Sequence, residues 1–204
     1  AEEALQSAAV NGAKTMGKTC DVSIAAEVDA LAETAAETFG GVSVLMNNAG
    51  AGMNPGKPWE NAEGWKKLLD VNLWGVIHGV QAFVPGMLES GKPGLVINTG
   101  SKQGITRPPG NSAYNLSKAG VIAFTEALAH ELRQIEDCQL SAHLLVPGFT
   151  YTGMISQFLP EKPDAAWTSD QVVDFMLQSL EANDFYILCP DNDVTRAFSG
   201  MQMT

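Results

Sequence analysis

The feature that most restricts how this chain can fold is its alternation of two kinds of segment. Short, mostly apolar runs occur at Lys18–Val22, Val42–Asn47, Leu95–Thr99, Leu140–Val146 and Phe185–Cys189. Each is the length of a strand and lacks the strict polar alternation of a half-exposed one, so each reads as a strand covered on both faces. Helical stretches lie between them. Ile24–Phe39 carries Ile24, Val28, Leu31, Ala35 and Phe39 as an apolar stripe, with Ser23 as N-cap, Glu27 in the first turn and Gly40-Gly41 as the stop. Trp65–Ser90 is a second helix, interrupted at Pro85-Gly86; Ser112–Asp137 is a third and Asp170–Glu181 a fourth. Met53–Pro58, Gly104–Gly110 and Pro160–Pro163 read as loops. Strand–helix–strand alternation implies crossover connections and a doubly wound parallel sheet in a three-layer α/β/α arrangement. The 204 residues suit a single domain spanning 1–204.

Composition narrows the function classes. Lys and Arg total 12 against 23 Asp and Glu, giving 12 − 23 = −11. Such a chain repels nucleic-acid backbones and anionic membrane surfaces, so neither is expected as a partner. A small phosphate-bearing ligand remains compatible, because backbone N–H groups hold one locally. Cys20, Cys138 and Cys189 are widely spaced and odd in number. They form neither a disulfide framework nor a zinc motif, so no metal is expected and a reducing, cytoplasmic setting fits best. No apolar run approaches the roughly 18 residues of a membrane span.

In open parallel sheets, ligands sit beyond the carboxyl ends of the strands. The residues found there are Asp21-Val22-Ser23, Asn47-Asn48-Ala49-Gly50, Asn98-Thr99-Gly100-Ser101 and Pro147-Gly148-Phe149-Thr150. Small and hydrogen-bonding residues thus gather along one edge. The helix after the third of these runs opens with Tyr114 and Lys118, an i, i+4 pair about 6 Å apart on one face. Tyrosine titrates near pH 10 and is a poor base at neutrality; a close ammonium in a low-dielectric site supplies the roughly 3 to 4 kcal/mol needed to change that.

The pair does not stand alone. Asn47-Asn48-Ala49-Gly50, Val71-Asn72-Leu73, Ser101, Tyr114-x-x-x-Lys118 and Pro147-Gly148 follow one another in an order that resembles the short-chain dehydrogenases/reductases. Ser101 precedes Tyr114 by 13 positions and Asn72 follows Asn47 by 25, which is similar to that family's spacing. The resemblance runs from Ala1 to about Cys189 and implies a Rossmann-like, NAD(P)-binding domain. It implies that Tyr114 is the acid/base that exchanges a proton with substrate oxygen while a hydride passes to or from nicotinamide. Lys118 would lower its pKa and bond the nicotinamide ribose. Ser101 would orient the substrate carbonyl or hydroxyl, and Asn72 would hold a proton-relay water. Asp21 and Val22 would contact adenine, with Asn48, Ala49 and Gly50 beside the adenosine ribose. Pro147, Gly148 and Thr150 would hold the carboxamide, with Thr152 alongside. The cofactor would be NAD or NADP, the choice being unreadable.

Simpler roles compete. Asn72 could only cap or bend its helix, Ser101 could be a turn residue, and Asp21 could be a helix-dipole neighbour. His78, His130 and His143 read as surface or packing histidines. Asn115-Leu116-Ser117 matches a glycosylation acceptor but falls inside the proposed catalytic helix, so it is discounted.

One departure from the family stands out. Its Gly-rich pyrophosphate turn and its first two strands, roughly 50 residues, have no counterpart here. Ala1–Ala9 resembles the tail of the helix after the second strand. In the family's strand order, 3-2-1-4-5-6-7, the run Lys18–Val22 would then lose its neighbour. The expectation is that an N-terminal segment is missing from the sequence. The segment Phe149–Trp167, with Phe149, Tyr151, Met154, Phe158, Leu159 and Trp167, would be a lid for a hydrophobic or aromatic alcohol/ketone pair. The third helix is apolar nearly all round, and the second carries Leu73, Trp74, Val76, Ile77, Val80 and Phe83; a homodimer or homotetramer follows. The competing functional readings are an epimerase or dehydratase of this fold and a non-catalytic nucleotide-binding interaction protein.

Overall fold

A computed structural model describes Ala9 and residues 12–192. The helix tail expected at Ala1–Ala9 lies outside them, except for Ala9, which sits in a turn. In chain order the elements are α1 (Ala25–Phe39), β1 (Val44–Asn47), α2 (Ala62–Leu69), a π-helical turn (Asp70–Trp74), α3 (Gly75–Glu89), β2 (Gly94–Thr99) and α4 (Lys102–Thr106). There follow α5 (Ser112–Gln134), β3 (Leu140–Val146), α6 (Gly153–Ser156), α7 (Ser169–Glu181) and β4 (Tyr186–Leu188). The four strands form one parallel sheet in the order β1-β2-β3-β4. This is the parallel α/β architecture expected from the alternation.

The core follows from which strand faces are covered. Val96, Leu140 and Ala142 pack with Val84 and Met87 of α3 and Leu132 of α5 on one side of the sheet. Ile97, Leu145 and Ile187 meet Val172 and Met176 of α7 on the other. Strands β2 and β3 are accordingly buried almost throughout, as continuous apolar runs demand. Strand β1 is different: Val44 and Met46 stay exposed, and its outer edge pairs with no strand among the described residues.

Four local expectations are corrected. Lys18–Val22 is not a strand: it has no regular structure and ends in a turn at Val22. A strand exists only through its ladder partner, and this segment instead lies on α1, where Lys18 Nζ bonds Ala30 O and Thr34 Oγ1. Ser23 does not cap α1; its N–H and hydroxyl both donate to Asp21 Oδ1, at 2.9 and 2.7 Å, leaving Ile24 at the cap position. The second helix is not interrupted at Pro85. Pro85 and Gln81, whose carbonyl loses its partner there, are both exposed residues, a position where solvent can replace the lost partner, and α3 continues. The break falls at the π-helical turn Asp70–Trp74, and the helix begins earlier, at Ala62, where Asn61 Oδ1 accepts from Gly64 N at 3.0 Å. Finally, the loop expected at Gly104–Gly110 starts inside the short helix α4, capped by Ser101 Oγ.

A thread of polar side chains crosses the sheet. Asn47 Nδ2 donates to Asn98 Oδ1 at 2.9 Å, Asn98 Nδ2 to Thr125 Oγ1 at 3.1 Å, and Thr125 Oγ1 to Val121 O at 2.7 Å. Asn98 and Thr125 are completely buried, and such groups are tolerated only when bonded. Gly79 of α3 makes room for this thread, since a Cβ there would collide with the Asn47 amide.

Candidate active site

Strand β2 ends at Thr99, and the next residues turn outward to open α4. The extended Ser101, at φ −168°, caps that helix, its Oγ accepting from Gln103 N at 3.2 Å. The same hydroxyl lies close enough to the Tyr114 phenol to favour its ionised form. Tyr114 lies in the first turn of α5, whose start is fixed by Asn111 Oδ1 accepting from Tyr114 N at 3.2 Å. One turn on, Lys118 returns to the same place: Nζ donates to Thr99 O at 2.9 Å and lies 5.8 Å from the centre of the Tyr114 ring. Serine, tyrosine and lysine therefore form one cluster where the carboxyl end of β2 meets α5. Gly104 allows α4 to lie against α5, because a Cβ there would stand 2.8 Å from the Lys118 carbonyl.

The electrostatics correct one expectation. Burial pushes the Tyr114 phenol above its ordinary value of 10, and the Ser101 hydrogen bond offsets this only in part. Burial also brings Lys118 down to about 8 from 10.5. The lysine is thus held where its own charge is costly, with its ammonium directed at a carbonyl rather than at the phenolate position. Proximity of the two groups is as expected; acidification of the phenol by this lysine is not found in the protein alone, because desolvation disfavours both charged forms.

Asn72 is completely buried and sits in the π-helical turn. Its Oδ1 accepts from Ala51 N at 2.7 Å, and its Nδ2 donates to Ala51 O at 2.9 Å and Ser117 Oγ at 3.3 Å. The amide therefore clamps the loop leaving β1 to the helix bearing Tyr114 and Lys118. Widening of a helix by one residue is frequent at functional sites, and here it delivers that amide. Gly50 lies against this clamp: a Cβ added to it would stand 3.5 Å from Asn72 Oδ1 and 3.8 Å from Lys118 Nζ. Asn48 joins through Oδ1, which accepts from Thr99 Oγ1 at 3.1 Å.

The remaining sequence-identified residues flank this centre on two sides. Val22, Asn47, Asn48, Ala49 and Gly75 line one groove. Val22 is held there by His78, whose Nδ1 bonds Val22 O at 2.9 Å, and by Gly75, where a Cβ would approach Val22 Cγ2 to 2.8 Å. Asp21 is exposed beside it, its carboxyl kept below the usual range by hydrogen bonds from Ser23. On the opposite side lies the turn Pro147-Gly148-Phe149-Thr150, with Thr150 Oγ1 donating to Gly148 O at 3.2 Å. Thr152 begins α6 without a side-chain cap. His143 is buried between Ser141 Oγ and Asp184 O, a packing role as read from sequence. Burial of Asn115 and Ser117 bears out discounting the glycosylation motif. Ser117, Thr99 and the ion pair Lys102–Asp191 were not singled out from sequence for the site. Ser117 lies inside the Tyr-x-x-x-Lys motif and Thr99 beside Ser101; the ion pair joins positions 89 residues apart and leaves no local signal.

The arrangement fits a nicotinamide dinucleotide. A glycine-faced cradle at Gly50 lies against an ammonium, which suits a ribose diol, and the groove at Val22 and Ala49 is apolar with backbone polar groups, which suits adenine. Among the described residues no group of His, Cys, Asp and Glu could hold a metal, and no helix is long and apolar enough to cross a membrane.

Known proteins share this fold. A structure of a short chain dehydrogenase/reductase from Burkholderia phymatum in complex with NAD is 31% identical, covers 92% of this chain and 75% of its own, and superposes with a TM-score of 0.82. A 3-oxoacyl-[acyl-carrier-protein] reductase of Synechocystis is 34% identical over 74% of this chain and 62% of its own length. A CLA biosynthesis dehydrogenase/reductase of Lactiplantibacillus plantarum is 28% identical over 87% of this chain and 71% of its own length. The chain thus spans about two thirds of these relatives. The family described as short chain dehydrogenase matches residues 1–163, and with the serine, tyrosine and lysine assembled as above the chain belongs to it, among the NAD(P)-dependent oxidoreductases.

Proposed function

We propose that the protein transfers a hydride between NAD(P)(H) and an alcohol/ketone pair, as a single NAD(P)-binding domain over this chain, with Tyr114 as the acid/base. The observation that carries the reading is the convergence of Ser101, Tyr114 and Lys118, the serine hydroxyl beside the phenol and the lysine anchored on Thr99 O. When bound, NAD(P)(H) supplies the hydride chemistry. The chain's residues hold and move the proton. The Tyr114 hydroxyl protonates the substrate oxygen in reduction and receives the proton in oxidation. Ser101 Oγ bonds the same substrate oxygen and sets its distance from the phenol. Lys118 binds the nicotinamide ribose, and Asn72 orders the Ala49–Ala51 loop and a relay water beside it. Asp21 and Val22 hold the adenine, Asn48, Ala49 and Gly50 the adenosine ribose, and Pro147, Gly148, Thr150 and Thr152 the carboxamide.

A hydrophobic or aromatic substrate is supported by the lid. Met154 Sδ closes on Gly52, while Phe149 and Phe158 are exposed at the same rim. In a panel of alcohols and ketones followed by nicotinamide absorbance with both cofactors, bulky aromatic ketones should exceed small polar ones by at least tenfold. No turnover of any member with either cofactor would refute the assignment; equal turnover of both classes would refute the substrate class.

Trp74 and Leu116, at the start of α3 and on α5, are exposed apolar side chains on the two helices read as interface-forming. A homodimer or homotetramer through these helices is proposed with them. Sedimentation of the full-length protein at micromolar concentration should give at least twice the monomer mass; a monomer would contradict the interface. A cytoplasmic setting is supported by the free thiols of Cys20 and Cys138.

A further inference from the structure

Lys102 follows Ser101 directly, and its Nζ lies 2.8 Å from Asp191 Oδ2. Both side chains are largely buried, at 17% and 6% exposed. The same Oδ2 accepts from Phe149 N at 3.0 Å. Gly148 closes on the carboxylate from the side, since a Cβ there would stand 2.7 Å from Oδ2 and 3.0 Å from Pro190 O. One carboxylate oxygen therefore ties three segments that leave the carboxyl ends of β2, β3 and β4. Asn192 extends the tie to the return leg of the lid: its Oδ1 accepts from Trp167 Nε1 at 3.1 Å, its N–H donates to Ala165 O at 3.1 Å, and its amide also bonds Asp164 O. Trp167 in turn donates its N–H to Phe149 O at 2.9 Å.

A buried ion pair is a poor source of stability, because desolvating two charges offsets most of their attraction. Its value here is geometric. Ser101 and the Gly148–Phe149 turn follow neighbouring strands and, on the proposed function, would hold the substrate and the cofactor respectively, so their separation must be held to a fraction of an ångström. We propose that Asp191 and Lys102 are positioning residues that lock the Ser101 segment to the Pro147–Thr150 turn and so set how the nicotinamide end of the cofactor meets the substrate oxygen. The pair acts through Ser101 and the turn and touches neither reactant. The inference rests on the reading of that turn as the carboxamide site.

The test uses the full-length protein and the cofactor it turns over. Asp191→Ala should speed hydrogen exchange of the Phe149 amide at least tenfold in the ligand-free protein and lower kcat about 100-fold. Affinity for ADP-ribose, which lacks the nicotinamide, should stay within twofold of the parent. Asp191→Asn retains an oxygen for the Phe149 N–H, so its exchange should stay close to the parent while kcat falls by less than in Asp191→Ala. Lys102→Met should lower kcat, and Lys102→Arg should restore most of it. Unchanged kcat and exchange in Asp191→Ala would overturn the proposal. So would a loss of ADP-ribose affinity in step with kcat, which marks general loosening. Tyr114→Phe separates the two readings: if it is inactive while Asp191→Ala is fully active, the positioning role alone fails; if it is fully active, the proposed function fails and the exchange measurement still decides the lock.

Discussion

Tyr114→Phe is expected to lower kcat/KM by about 10² to 10⁴, the range for losing a positioned acid/base. The change removes one oxygen from a half-buried ring. Ser101 Oγ keeps the Gln103 N–H as a donor, so the cap of α4 survives and the loss of the phenol hydroxyl costs no more than about 1 kcal/mol of stability. Burial raises the phenol above its ordinary pKa, so at neutral pH the variant lacks a donor that the parent holds protonated. Reduction should therefore suffer at neutral and mildly alkaline pH alike, with no alkaline recovery. Titration with NADH and NADPH should show cofactor affinity within threefold of the parent. Turnover within threefold of the parent would remove Tyr114 from the chemistry.

Lys118→Met should abolish turnover by at least 100-fold and yet stabilise the ligand-free protein near neutrality. In the unfolded chain this amine titrates near 10.5, and in the folded chain at about 8. As pH rises, the folded state releases the proton first. Between pH 8 and 10.5 the unfolded chain holds more protons, so stability increases with pH across that window. Below pH 8 the penalty is complete, about 3.5 kcal/mol for 2.5 units at roughly 1.4 kcal/mol each. Methionine keeps the apolar stem and removes the charge but forfeits the bond to Thr99 O, worth about 1 kcal/mol. A net gain of about 2.5 kcal/mol at pH 7, shrinking towards pH 10, is the expected outcome of denaturant titrations on parent and variant. A destabilised variant at pH 7 would show that the lysine is not held against its own desolvation. A function that is costly to the fold is common where an active site needs a strained or buried charge.

Much of this was legible because burial on both faces writes itself into the strand sequences. Leu140–Val146 is a strand over the expected residues, and the neighbouring runs differ only at their ends. The Tyr114–Lys118 spacing placed both groups on one helix face, since i, i+4 geometry is local. What depended on partners did not read correctly. Lys18–Val22 has a strand's composition and no neighbouring strand among the described residues. Pro85 resembled a break because sequence does not reveal which side of a helix faces water. Asn72 was marked as a site residue, but the π-helical turn that aims it at Ala51 left no recognised signature. The phenol was expected to be acidified because sequence gives the nearby charge and conceals the desolvation that outweighs it. Lys102 and Asp191 meet only through the ordering of β2, β3 and β4.

The amide-to-amide bond between Asn47 and Asn98 has a reach beyond its own strength. Strand β1 has four residues and a half-exposed face, so hydrophobicity alone aligns it weakly against β2. Asn47 stands opposite Asn98 in the ladder, and sliding by a single position would turn its side chain to the other surface of the sheet. Everything downstream, from Asn48 to the Ala51 that Asn72 grips, would then be displaced by a whole residue. A pair of carboxamides therefore serves as an indexing pin: it contributes little to holding the molecule together, and it decides where Asn48 to Ala51 stand relative to Asn72 and Lys118.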